Sequence, residues 1–124
     1  MNDAIEAHRN DFPIKGFHHI EFWVANAYQS AHYYRAIHGY EIAGYRGPET
    51  GVPETATYAL RQGDVRLLFS SALDPDHEIN DHVRRHGPGV RDVAIHVPDA
   101  AKALELATNR GAKEAAPLRS LQGD

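Results

Sequence analysis

Three ligand-type side chains crowd one short stretch of this 124-residue chain: His18, His19 and Glu21, within Phe17 to Gly39, FHHIEFWVANAYQSAHYYRAIHG. A catalytic metal needs imidazole and carboxylate donors that converge, commonly three from protein with one position left open. His19 and Glu21 fall on the same face of a strand but stand about 7 Å apart along it, so both meet one ion only with favourable side-chain reach. The competing reading of His19 is a polar, partly buried histidine hydrogen-bonded to Asp92 or to a neighbour. Asp92 itself reads as half of a structural ion pair with Arg91 or His19. His82 and His86 lie four apart, the spacing that puts two imidazoles on one helix face; with no carboxylate read on that face, they are surface histidines. Ser70 and Ser71 have no identifiable base or orienting acid and are not nucleophile candidates. GPETG and HGPG lack the strand, glycine loop and helix order of a phosphate site and read as turns. No residue of the chain is singled out as catalytic, cofactor-binding or metal-ligating.

The elements that carry these residues follow from periodicity. Ile20, Phe22 and Val24 alternate with His19, Glu21 and Trp23, which places an apolar set under the following helix and a polar and aromatic set on the other face. Asn26 is the expected N-cap, with Gln29 three residues on as in a capping box, and Gly39 the expected stop. A weaker copy runs from Asp92 to Gly111, DVAIHVPDAAKALELATNRG, with Val93, Ile95 and Val97 as its core face, Asp99 as cap and Gly111 as stop. His19 and Asp92 are 73 apart (92 − 19), as are the caps (99 − 26). Such self-similarity predicts two related strand-helix modules.

Between the copies, Tyr40 to Arg46 reads as a strand with a possible bulge at Gly44, Gly47 to Pro53 as a loop, and Thr55 to Arg61 and Val65 to Ser70 as a hairpin about Gln62-Gly63-Asp64. Module one is thus β-α-β-β-β over 17–73, its last three strands antiparallel. Residues 74–89 form a linker with a short helix from Glu78 to His86, on which Ile79 and Val83 contact the body. Module two, 90–124, has room after Gly111 for one strand, Ala112 to Ala116, so two strands and their hairpin are missing and a sheet edge is left open. Truncation is the favoured explanation, a covering polypeptide the other. Residues 1–12 read as a flexible lead-in to a domain of 13–124.

Composition narrows the function classes. With 42% hydrophobic and 24% charged residues the chain suits one globular domain. A formal net charge of −4 and the lack of a basic stripe argue against nucleic acid. No apolar run approaches the roughly 20 residues that cross a bilayer, and the polar N-terminus is no export signal, which together with the absence of cysteine suggests a cytoplasmic protein. Nine histidines are many for this length, but they are scattered over helix surfaces and loops.

A βαβββ unit in tandem resembles the vicinal oxygen chelate superfamily, the glyoxalase and extradiol-dioxygenase fold. FHHIEFWVANA followed by SAHYYRAIHGYE, then YRGPETG, SSAL and DHVRRHGPGVRDVAIHV, resembles in order and spacing the amino-terminal domain of 4-hydroxyphenylpyruvate dioxygenases. The related 4-hydroxymandelate synthases share this half. In the wider superfamily the position of His19 often holds a metal ligand, and its counterpart here is Asp92. The resemblance implies an α+β chain of tandem modules and a non-haem Fe(II) site, built from two histidines and a glutamate, in a separate carboxy-terminal domain. It carries no catalytic residue onto this chain, which is expected to bind no iron and to be inactive alone. It implies a carboxy-terminal catalytic partner, a homo-oligomer, and an aromatic 2-oxoacid substrate only in the full enzyme. Two alternatives of other classes are a freestanding, dimeric small-molecule binding module and a small metalloenzyme using His19 across a subunit interface.

Overall fold

A computed structural model describes residues 12–118. The element order is β1 (Gly16–Trp23), α1 (Ala27–His38), β2 (Glu41–Arg46), a 3-10 turn (Pro48–Thr50), β3 (Thr55–Gln62), β4 (Val65–Ala72), α2 (Glu78–His86), β5 (Gly89–His96) and α3 (Ala100–Asn109). The five strands form one sheet in the order β2-β3-β4-β1-β5. β2, β3 and β4 are antiparallel neighbours, and β1 runs parallel to β4. The β-α-β-β-β order expected of module one is present, and the linker helix has the bounds expected of it. The lead-in expected over 1–12 lies, apart from Phe12, outside the described residues.

The chain divides into two compact units, residues 17–94 and a second that joins residues up to 16 with those from 95 on. In the first, Val24, Ala27, Ala31, Leu60, Leu67 and Phe69 make the buried cluster, with Ile20, Phe22, Tyr34, Tyr40, Ile42 and Tyr58 packed against it. The alternation in β1 therefore puts its apolar set where expected. Ala27 and Ala31 are fully buried and one turn apart. Their small side chains let the α1 backbone approach the sheet closely, while Tyr34, the next residue on that stripe, fills the space over Phe69 at 5.0 Å between ring centres. Tyr33, on the neighbouring side of the helix, is 54% exposed and so belongs to the rim.

Local signals account for the boundaries. Asn26 Oδ1 accepts from the Gln29 amide at 3.0 Å, and Gly39 ends α1 in the left-handed region at φ 75°. The β2–β3 register shifts between Ile42 and Gly44, which places a bulge next to the expected glycine. The β3–β4 connection is two residues long, with Gly63 at φ 58°, the glycine-first pattern of a tight hairpin turn. In α2 the cap is His77, whose Nδ1 accepts from the Ile79 amide at 3.1 Å, and Ile79 is the buried anchor.

The duplication is visible in matching bounds. β1 and β5 start 73 apart (89 − 16) and end 73 apart (96 − 23). The cap of α1 has φ −145° and ψ 100°, that of α3 −146° and 107°. In the second unit, Asp99 Oδ1 accepts from Ala101 and Lys102, and the Lys15 amide donates to the His96 carbonyl at 2.8 Å.

Two expectations for module two fail. Ala112 to Ala116 is not a strand; from Gly111 to Leu118 the chain has no regular element. The segment is Ala, Lys and Glu, without the β-branched or aromatic residues that fit a pleated surface. The intended core face of β5 is also not core, since Val93 is 45% and Ile95 49% exposed. Among the described residues β5 has a strand neighbour on one side only, whereas β1, its counterpart, is flanked on both.

Candidate functional site

The polar face of β1 is where ligand-type side chains gather, and strand pairing decides which of them meet. β1 pairs with β4 so that Trp23 lies opposite Ser70 and Glu21 opposite Leu68. β3 pairs with β4 so that Thr57 lies opposite Ser70. Glu21 thus reaches Ser70 on the diagonal, two residues along the same face. Ser70 Oγ donates to Glu21 Oε2 at 2.8 Å, and Thr57 Oγ1 stands 2.8 Å from Ser70 Oγ. A carboxylate only accepts, and a hydroxyl has one proton, so Ser70 spends its proton on Glu21 and Thr57 must donate to Ser70. The result is a directed chain across three strands, Thr57 to Ser70 to Glu21, with Ser70 only 3% exposed.

Adjacent Ser71 points the other way, where its Oγ accepts from the Ala27 amide at 3.0 Å and completes the first turn of α1. The two serines are therefore structural hydrogen-bonding groups. Lacking a base and an orienting acid they are no nucleophiles, and the period of two in VRLLFSSA sends them to opposite faces.

The cluster of His18, His19 and Glu21 separates. His18 Nδ1 and His19 Nδ1 are 2.8 Å apart and hydrogen-bonded to one another, while Glu21 is engaged by Ser70. The partner of His19 is thus its neighbour. Asp92 forms no ion pair among the described residues, contrary to expectation; Arg91 lies instead with its guanidinium carbon 4.7 Å over the Trp23 ring. That attraction to the indole face needs no carboxylate. His82 stands edge-on to Trp23, with ring centres 5.2 Å apart, and His86 follows at 4.9 Å from His82. Among the described residues no three histidine, cysteine, aspartate or glutamate side chains come together to hold a metal ion.

A second polar feature was not foreseen. Tyr45 on β2 donates from its phenol to Glu49 Oε2 at 2.6 Å, across the 3-10 turn. Gly47 lies beneath: a Cβ there would overlap the phenol oxygen and ring of Tyr45 and push that side chain off Glu49, so the glycine makes room for this placement, its backbone being extended. The hydrogen bond to Glu49, followed by lost hydration and the carboxylate charge, pushes the Tyr45 phenol up from 10.0 to about 12. The same bond holds Glu49 below 4.5. The phenol's contribution to stability is complete below pH 10 and is lost as pH rises through about 12. The contribution of Glu49 is present above pH 4.5 and is lost as pH falls through its lowered value. Residue-resolved NMR titration of the tyrosines is expected to find Tyr45 ionising well above ordinary tyrosine in the wild type and near pH 10 in Glu49→Ala. Identical titration in both proteins would remove Glu49 as the cause.

The order β2-β3-β4-β1-β5, with β1 followed by a helix and three antiparallel strands, the last of them parallel to β1, and a second strand-helix copy beginning at β5, is the architecture of vicinal oxygen chelate proteins. Solved structures agree. A mutant form of 4-hydroxymandelate synthase from Streptomyces coelicolor superimposes with a TM-score of 0.77 at 27% identity, covering 83% of this chain and 32% of that one. Methylmalonyl-CoA epimerase from Mycobacterium tuberculosis gives 0.68 at 17% identity over 82% of this chain and 67% of that one, a likeness of fold alone.

Residues 8–121 match the family described as hydroxyphenylpyruvate dioxygenase, HPPD, N-terminal, and the chain belongs to that family. A 4-hydroxyphenylpyruvate dioxygenase from Danio rerio is 44% identical over 97 residues, 77% of this chain and 24% of the relative. One from Tetrahymena thermophila is 42% identical over 115 residues, 88% of this chain and 28% of the relative. The chain thus spans about a quarter of the length of the curated relatives it matches.

Proposed function

We propose that this chain is the amino-terminal scaffold of a 4-hydroxyphenylpyruvate dioxygenase-type enzyme, with the chemistry in a carboxy-terminal domain. The observation that carries the reading is the family match over 8–121, which corresponds in the relatives to a quarter of their length. In the whole enzyme 4-hydroxyphenylpyruvate and O2 would yield homogentisate and CO2 on a non-haem Fe(II). Such iron is held by two histidines and a carboxylate on one face of the ion. The described residues do not fit it: His18 and His19 bond to each other, Glu21 is bonded by Ser70, and no third donor joins them. No catalytic step is therefore placed on this chain.

As a scaffold, the chain presents β5 for further polypeptide to cover. Val93 and Ile95, two apart and so on one face, are 45% and 49% exposed there, and an edge strand also leaves backbone groups to pair. Partners would be the carboxy-terminal domain and, in a homo-oligomer, other copies of the chain. None of the helices among the described residues is long and apolar enough to cross a membrane, and a cytoplasmic setting fits the reading. The likeness to 4-hydroxymandelate synthase favours one second reading, the same scaffold in a mandelate-forming enzyme.

The purified chain, given Fe(II), 4-hydroxyphenylpyruvate and oxygen, is expected to form no homogentisate and to consume no oxygen above background. Turnover at a rate proportional to chain concentration, surviving repurification, would place the chemistry here and end the scaffold reading. The gene read beyond codon 124 tests the rest: a continuing frame with two histidines and a late glutamate is expected, and a stop codon there would count against it.

A further inference from the structure

We propose that His82 and His86 form a two-imidazole site for a divalent transition-metal ion of the zinc, nickel or copper class, with water completing the coordination. Both residues are on α2, four apart, so their side chains rise from one face of the helix. Their ring centres are 4.9 Å apart with the planes inclined at 53°. With metal–nitrogen bonds of about 2.0–2.1 Å and each ring nitrogen about 1.1 Å from its ring centre, two imidazoles on one ion keep their centres roughly 4.5–5.2 Å apart. The separation of the two ring centres falls within the range that chelation requires.

The surroundings of His82 fix half of the site in advance. Its Nδ1 is buried and has no hydrogen-bond partner among the described residues, which leaves Nε2 as the nitrogen able to meet an ion. Trp23 walls the ring edge-on at 5.2 Å, and Arg91 lies over Trp23 in turn. Binding through Nε2 leaves the proton on the buried Nδ1. His86 is exposed and supplies the accessible second donor.

Charge and donor type select the ion. Contrary to the reading of that face from sequence, Glu78 lies on the same stripe, one turn before His82 and two turns, about 12 Å along the axis, before His86; among the described residues it does not join the pair as a third donor. Asp81 is occupied by Arg84 and Arg85, each at 3.3 Å. Oxygen-seeking magnesium or calcium would find no carboxylate converging with the pair among the described residues. Imidazole donors suit zinc, nickel and copper.

Zinc is the probe for a calorimetric titration of the full chain. The wild type is expected to show a saturable site, at least tenfold weaker in His86→Ala and unchanged in the double variant His18→Ala with His19→Ala. Nickel should raise the melting temperature of the wild type and leave that of His86→Ala where it was. His86 is exposed, so its removal spares the fold. Equal affinity in His86→Ala and wild type, loss of binding on removing His18 and His19 instead, or no saturable binding would each overturn the site.

Discussion

Replacement of Phe69 by alanine is expected to destabilise the chain by about 3–5 kcal/mol, the cost of emptying a buried aromatic position. Phe69 is 2% exposed and stacks on Phe22 at 5.0 Å with planes 20° apart, while Tyr34 covers it from α1. Its removal strips contacts from β1 and from α1 together, and the small side chains of Ala27 and Ala31 cannot expand to fill the space. Small domains have about 5–15 kcal/mol in total, so the variant should be partly unfolded at ordinary temperature. Urea denaturation followed by circular dichroism measures it, with Leu68→Ala as the control from the opposite face of the same strand. Leu68 is only partly buried, and its truncation should cost clearly less. A Phe69→Ala cost near that of Leu68→Ala would mean that the core is not centred where the sheet and α1 meet.

The residues that made this core readable in advance are those with strict alternation. Ile20, Phe22 and Val24 could be assigned to one face because a strand allows only two, and the caps Asn26 and Asp99 mark their helices by chemistry that acts within three residues. The 73-residue offset survives in the strand bounds for the same reason, since each module repeats its own local signals. Apart from the strand over Ala112 to Ala116, what failed depended on neighbours distant in sequence. Val93 and Ile95 carry the right pattern, but pattern gives a face and not its cover. Ala112 to Ala116 was given a strand by analogy with module one, against its own low β-propensity, and propensity prevailed. The partners of Glu21 and of Tyr45 were hidden because they rest on register, which brings residues 49 positions apart to 2.8 Å, and on the space above Gly47. The family resemblance was legible because it rests on ordered strings rather than on contacts.

Ser70→Ala provides the sharpest test of that register. The substitution removes the donor to Glu21 and the acceptor of Thr57 together, on a face where Glu21 and Thr57 are partly buried. A hydrogen bond to a charged group is worth about 1.5–3 kcal/mol, and the larger part of the loss comes from leaving the carboxylate without its partner. Removing the carboxylate as well should therefore restore much of the stability: Ser70→Ala with Glu21→Leu is expected to cost about 1–2 kcal/mol less than the sum of the two single costs. Ser71→Ala separates this from any general effect of losing a serine in β4. Ser71 serves the Ala27 amide on the opposite face, so its cost, about 1–3 kcal/mol for an unmet buried donor, should be untouched by Glu21→Leu. Glu21→Leu rescuing both serine variants equally, or neither, would show that the directed chain from Thr57 to Glu21 does not hold these strands in register.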